Sequence, residues 1–329
     1  MTVAAVLTTL RRVFAAKVTH WVLSLSFLVA AGVGFGASLR EQGEEVAVAL
    51  TQLHAPAVAG ALLLVLLSLV AAMQAWRTLL TGLGSPLPIR QAGRVFFTGQ
   101  LGHYLPGTGW PLVIQLHLGR RLAVPPRHTV AAFLLAMAVL TGTGLTAGLV
   151  AAPSLLSGHA WWLLAPAGFV IVCLVWPELL RRLVGWLFRV TRRPETVTEL
   201  SPARTRHAFA LSLVSWLCNG LQLWLLAVAL GAPAWASLPA CLGGMALAIL
   251  AGSFVPFAPG GLGPRELILV LALTAVLPAP AALVAAAASR LVHTVADAVA
   301  AGGFLLAGVV ARPRQPALPS PRLPEGAAR

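Results

Sequence analysis

Charge is what this chain has least of: nine acidic residues and a single lysine among 329, with 10% of residues charged in all. Soluble domains carry about 25%, so an ordinary water-soluble enzyme or binding module is excluded. Cysteine is scarce as well. Cys173, Cys218 and Cys241 stand singly in apolar stretches, with neither a disulfide framework nor a metal-type spacing, so no metal is expected. There is no Walker A sequence, no H-E-x-x-H, no paired carboxylates and no G-x-S-x-G. No cofactor is expected, and hydrolysis-driven transport by this chain alone is excluded.

What the chain has instead is apolar length. Its hydrophobic content is 58% and its mean hydropathy +0.87. A membrane-crossing helix needs about 20 mainly apolar residues, and six stretches supply a full crossing: His20–Leu39, Ala55–Trp76, Thr129–Ala152, Trp161–Trp176, Ala208–Leu230 and Ala281–Val310. The first follows Arg11 and Arg12 but lacks an A-x-A cleavage site, so it reads as an uncleaved anchor. The predicted fold is an all-α polytopic membrane bundle. One domain is expected over 1–311, followed by a Pro-rich, basic, disordered tail over 312–329.

The net charge of +14 would suggest nucleic acid in a soluble chain. Its distribution reports topology instead. Twenty of the 23 Lys and Arg lie before residue 18, in 77–94, 120–127 and 178–206, and after 311, whereas the alternate connections carry only Arg40. Basic loops stay in the cytoplasm, so both termini are expected there, in a bacterial plasma (inner) membrane. Anionic lipid is the expected partner of the basic surface, and nucleic acid is not. A basic amphipathic segment from Pro177 to Arg193 is expected to lie on the headgroups.

Two further stretches break the pattern. Gln91–Leu118 has Arg on both flanks, so it must enter and leave on one face; its middle, "HYLPGTGWP", favours a re-entrant hairpin over a crossing. Trp235–Leu277 is interrupted by "SFVPFAPGGLGPREL" and is either a second hairpin or two short crossings. Offset by 153 residues, "TGQLGHYLPG" lies over "AGSFVPFAPG", pairing Gly99 with Gly252 and Gly107 with Gly260. An odd number of crossings separates them, as in an inverted repeat.

Irregular backbone at membrane depth persists only against protein or a wet cavity. In "PGGLGPRE", Gly263 is a predicted N-cap, Pro264 fits the first helical position and Glu266 favours the helix dipole. Gly260, Gly261 and Gly263 offer amides to an anion, and Arg265 adds a guanidinium suited to phosphate. The alternative is a plain helix stop and start with Arg265 paired to Glu266. The first break offers His103, Gly107 and Gln115. In "SRLVHTVAD", Arg290, His293, Thr294 and Asp297 share one helical stripe. That stripe completes a headgroup path or lets His293 relay protons; alternatively, Arg290 and Asp297 form a structural pair.

The run from Pro256 to Glu266, P-x-x-P-G-G-L-G-x-R-E, with "SRL" at Ser289–Leu291, resembles the transmembrane region of lysylphosphatidylglycerol synthases and their stand-alone flippase-like relatives. The resemblance covers roughly residues 10–311. It implies an all-helical domain that moves lipids between leaflets, here without the synthases' cytosolic domain. The first break keeps Pro106 and Gly107 of the family's pattern but has Trp110, Pro111 and Gln115 where acidic and basic residues are usual. The expected function is therefore translocation of an anionic phospholipid or a polyprenyl-linked glycolipid. The alternatives are an accessory subunit partnering a glycosyltransferase or lipid-modifying enzyme, and such an enzyme itself.

Overall fold

The computed structural model describes residues 43–105, 109–149, 201–255 and 261–310. Two expected crossings, His20–Leu39 and Trp161–Trp176, lie outside the described residues, as do the amphipathic segment from Pro177, the tail, and Gly107 and Gly260 of the two breaks.

Every regular element among the described residues is helical: α1 (Gly43–Gln52), α2 (Ala55–Gly82), α3 (Ile89–Gln100) with a 3-10 turn (Leu101–Tyr104), α4 (Trp110–Arg121), α5 (Pro126–Gly148), α6 (Pro202–Ala229), α7 (Ala234–Phe254), α8 (Pro264–Leu273) and α9 (Ala279–Val310). Of these, α2, α5, α6, α7 and α9 are long and apolar enough to cross a membrane. Four coincide with expected crossings. The fifth, α7, opens the second broken stretch. The chain is thus an all-α multi-pass membrane protein.

Local chemistry sets the helix starts. Pro56, Pro126 and Pro202 sit in the first turns of α2, α5 and α6, where a missing N–H costs nothing and the ring presets φ. Ser201 caps α6 by accepting from the Arg204 amide at 3.3 Å. Beyond these starts the helices are rich in Leu, Ala and Val on every face, the composition of segments buried in protein on one side and lipid on the other.

Both broken stretches fold back on themselves. In the first, a Cβ on Gly99 of α3 would come within 2.8 Å of Gln115 and 3.3 Å of the Pro111 carbonyl, both on the returning α4. In the second, a Cβ on Gly252 of α7 would lie 3.0 Å from the Gly261 Cα, and Gly244 faces Ala272 further up the same pair. Gly99 and Gly252, aligned by the sequence offset, therefore do the same work: each lets two antiparallel arms touch. The return arm α8 has 10 residues, about 15 Å, while α7 has 21, about 31 Å. Two short crossings are excluded on length, and Trp235–Leu277 is a hairpin with one long and one short arm.

The hairpins are rooted at opposite ends of α9. Ala92, Val95 and Phe97 of the first pack with Leu79, Leu83 and Ala131, near the end of α9 that carries Ala301 and Phe304. The Phe97 and Phe304 rings lie 5.0 Å apart. Cys241, Met245, Leu269 and Leu273 of the second pack with Leu223, Ala227 and the opposite end of α9, at Ala281, Ala282 and Ala285. The described residues that flank the two breaks, Tyr104 and Gly261, consequently meet one cavity beside the middle of α9.

Candidate functional site

Between the described residues flanking the two breaks lies a partly open cavity of about 210 Å³. His103 and Tyr104 line it from the first tip, and Gly261 and Arg265 from the second. Arg290, His293 and Asp297 face it from α9, with Ser68 of α2 and Ser215 and Asn219 of α6 opposite. Gly261 has φ +72°, in the region glycine favours, and its backbone lies against Gly252. That contact carries Arg265, four residues on, to the cavity wall.

Arg265 is the least satisfied charge among the described residues. Its Nε and Nη2 are buried with no hydrogen-bond partner there. Glu266, the partner expected from sequence for the stop-and-start reading, turns the other way. Its Oε1 accepts from Arg290 Nη1 at 3.1 Å, and its Oε2 accepts from the Gly263 amide at 2.7 Å. This carboxylate holds the start of α8 and ties it to α9 in one stroke. The Gly263 amide is therefore engaged within the protein and is not offered to an anion.

Asp297 is equally informative. It does not pair with Arg290; its Oδ2 accepts from Tyr104 Oη at 2.7 Å. The stripe on α9 thus divides its attachments, with Arg290 holding the second hairpin and Asp297, two turns on, the first. Thr294 donates its hydroxyl to the Arg290 carbonyl at 3.0 Å and lies beside the Tyr104 hydroxyl.

Along the cavity wall runs a polar chain. His293 Nδ1 meets the Ser289 carbonyl at 2.8 Å and Nε2 meets Asn219 Oδ1 at 3.0 Å. Asn219 Nδ2 donates to Ser68 Oγ at 2.6 Å and to the Ser215 carbonyl at 3.0 Å, and the two serine hydroxyls are 2.8 Å apart. Ser289 Oγ donates to Gln222 Oε1 at 3.2 Å. Such a chain inside an apolar bundle fixes α2, α6 and α9 in one mutual register, because an unmet polar group there is costly.

The fold brings six predicted residues to one place: His103, Gly261, Arg265, Arg290, His293 and Asp297. Glu266 and Gly263 stand behind them as supports. Gln115 is not at the cavity; it is 2% exposed and packs inside the first hairpin against Gly99. Tyr104, Ser68, Ser215, Asn219 and Gln222 were not anticipated. A signal for three of them was present, since Ser215, Asn219 and Gln222 fall at i, i+4 and i+7 of α6, a polar stripe within a crossing.

The fold and the site define a class of protein: an all-helical, multi-pass membrane bundle with two interrupted hairpins and a charged cavity between them. Within it, the family model for the lysylphosphatidylglycerol synthase TM region matches residues 21–302, and the chain belongs to that family. No curated protein matches it in a sequence comparison.

Proposed function

We propose that the protein moves a phosphate-bearing lipid between the two leaflets, its headgroup passing through the cavity while the acyl chains stay in the bilayer. One observation carries this reading: Arg265 brings buried, unpartnered guanidinium nitrogens to a cavity between hairpins rooted at opposite ends of the bundle. A guanidinium at membrane depth is costly unless an anion meets it, and its fork suits phosphate. An anionic phospholipid fits this chemistry, as does a polyprenyl-linked glycolipid through its phosphate.

The hairpins supply the access. Among the described residues, each hairpin has a polar side-chain contact with α9 near the cavity, Tyr104 to Asp297 and Glu266 to Arg290. Releasing one contact at a time opens the cavity toward one end of the bundle and then the other, the requirement of alternating access. The basic residues at the root of the first hairpin, including Arg90, Arg94, Arg120 and Arg121, support an orientation in which that end faces the cytoplasm of a bacterial inner membrane. Both termini are on that side in this reading.

The test is reconstitution of the purified protein into vesicles with fluorescent phosphatidylglycerol, following leaflet exchange by dithionite quenching. Arg265→Ala is expected to slow exchange by about tenfold to a hundredfold, the worth of a hydrogen bond to a charged group. Exchange no faster than in protein-free vesicles, across a panel of phospholipids and polyprenyl phosphates, overturns the translocase and favours the accessory-subunit reading.

A further inference from the structure

The contacts of His293 have a polarity that neutral imidazole cannot satisfy. A neutral ring has one N–H and one lone pair. Here both ring nitrogens face oxygens: Nδ1 the Ser289 backbone carbonyl at 2.8 Å, Nε2 the Asn219 Oδ1 at 3.0 Å. Exchanging the oxygen and nitrogen of the Asn219 amide does not resolve this. Its Nδ2 lies 3.0 Å from the Ser215 carbonyl, which accepts only, so the exchange would set two oxygens against each other. The second Asn219 donation, to Ser68 Oγ at 2.6 Å, agrees with that orientation. Asn219 is pinned from behind, and the ring beside it is fully bonded only when both nitrogens carry protons.

The charges around the ring decide when that proton is held. Arg265 faces the cavity from α8, and Arg290 and Asp297 from α9 itself. The first tip contributes His103 and Tyr104; α2 and α6 contribute only neutral Ser68, Ser215, Trp216 and Asn219. Glu266 is engaged by Arg290 and the Gly263 amide, and Asp297 by Tyr104. A proton on His293 therefore adds positive charge to a site whose other charges, Arg265 and Arg290 against Glu266 and Asp297, already balance. An anionic group at Arg265 offsets that charge and favours the proton.

From this geometry we infer that His293 is a proton-binding site that fills together with the headgroup anion, so that the protein takes up a proton as it takes up its lipid. The inference rests on the headgroup reading above and deepens it by naming the second ligand. Nothing covalent changes: one proton passes from water to the imidazole ring and returns when the lipid leaves. Translocation coupled in this way responds to a proton gradient, which supplies direction without nucleotide hydrolysis.

The experiment titrates the purified full chain, in a neutral detergent, with dihexanoylphosphatidylglycerol. Binding is followed by tryptophan fluorescence, since Trp216 lines the cavity, and proton uptake by an indicator dye in weak buffer. The wild type is expected to take up about one proton per lipid, with affinity falling by up to about tenfold per pH unit as pH rises. His293→Gln is expected to bind with little pH dependence and no uptake. Arg265-dependent binding by the wild type without uptake overturns the coupling and leaves the headgroup reading standing, as does uptake that survives in His293→Gln. Unaltered affinity in Arg265→Gln, or no binding at any pH, overturns the headgroup reading and the coupling with it. The wild-type uptake measurement decides the matter even if the His293 variant fails to fold.

Discussion

Tyr104, the only tyrosine in the chain, donates its hydroxyl to Asp297 Oδ2 at 2.7 Å across 193 positions of sequence. The contact joins the tip of the first hairpin to the middle of α9. Tyr104→Phe keeps the ring and removes the donor, so the cost isolates the bond. It is expected to lower stability by about 1 kcal/mol, below the usual range for a bond to a charged acceptor because Tyr104 is partly exposed. A double-mutant cycle with Asp297→Asn, read from thermal unfolding in detergent, should show coupling; strictly additive effects would remove the latch from the mechanism.

Glu266 serves two partners, so its substitutions should separate. Glu266→Gln loses the charge that meets Arg290 at 3.1 Å but retains an oxygen for the Gly263 amide at 2.7 Å. Glu266→Ala loses both. The alanine variant is expected to be less stable than the glutamine variant by about 1 kcal/mol, the usual worth of a helix cap. Equal melting temperatures would show that the cap contributes nothing.

The arms of each hairpin touch because a glycine stands at the crossing. Gly252→Ala places a methyl group 3.0 Å from the Gly261 Cα, and Gly99→Ala places one 2.8 Å from the Gln115 side chain. Overpacking against backbone typically costs about 1–3 kcal/mol, and the Gly252 variant should suffer more because backbone gives way less than a flexible glutamine. Gly303→Ala is the control, with nothing within 4 Å of the added methyl. Yield of folded protein in size-exclusion chromatography is the measurement, and a Gly252 variant that behaves like the control counts against the tight second hairpin.

The proposed orientation has its own test. In a background with the native cysteines replaced by serine, a cysteine at Trp235, 83% exposed at the start of α7, should react with an impermeant maleimide added to intact cells. A cysteine at the exposed Arg90 should react only after lysis. The reverse pattern inverts the topology and with it the direction of any proton-coupled step.

The family motif and the residues around it show how far a linear reading reaches. Arg265, Glu266, Arg290, His293 and Asp297 are conspicuous because charge is rare in an apolar chain, and rarity needs no coordinates to be seen. Which charge meets which is another matter. The expected pairings of Arg265 with Glu266, or of Arg290 with Asp297, follow from sequence nearness; the observed ones, Glu266 with Arg290 and Asp297 with Tyr104, depend on which helix faces cross. Gln115 illustrates the same limit, since polarity made it a candidate for the cavity while the close approach to Gly99 turned it inward.

By itself the sequence determined that this chain lives in a membrane, where the described crossings run, and that its first broken stretch folds back, because bilayer thickness, missing donors at proline and the placement of arginine act locally along the chain. Only the tertiary structure decided that the two hairpins share one cavity, that Arg265 Nε and Nη2 have no partner there among the described residues, and that His293 is held between two oxygens. Those facts arise from packing between residues far apart in the chain, where the position of one small residue such as Gly252 or Gly99 sets how closely helices meet and hence which polar groups find each other.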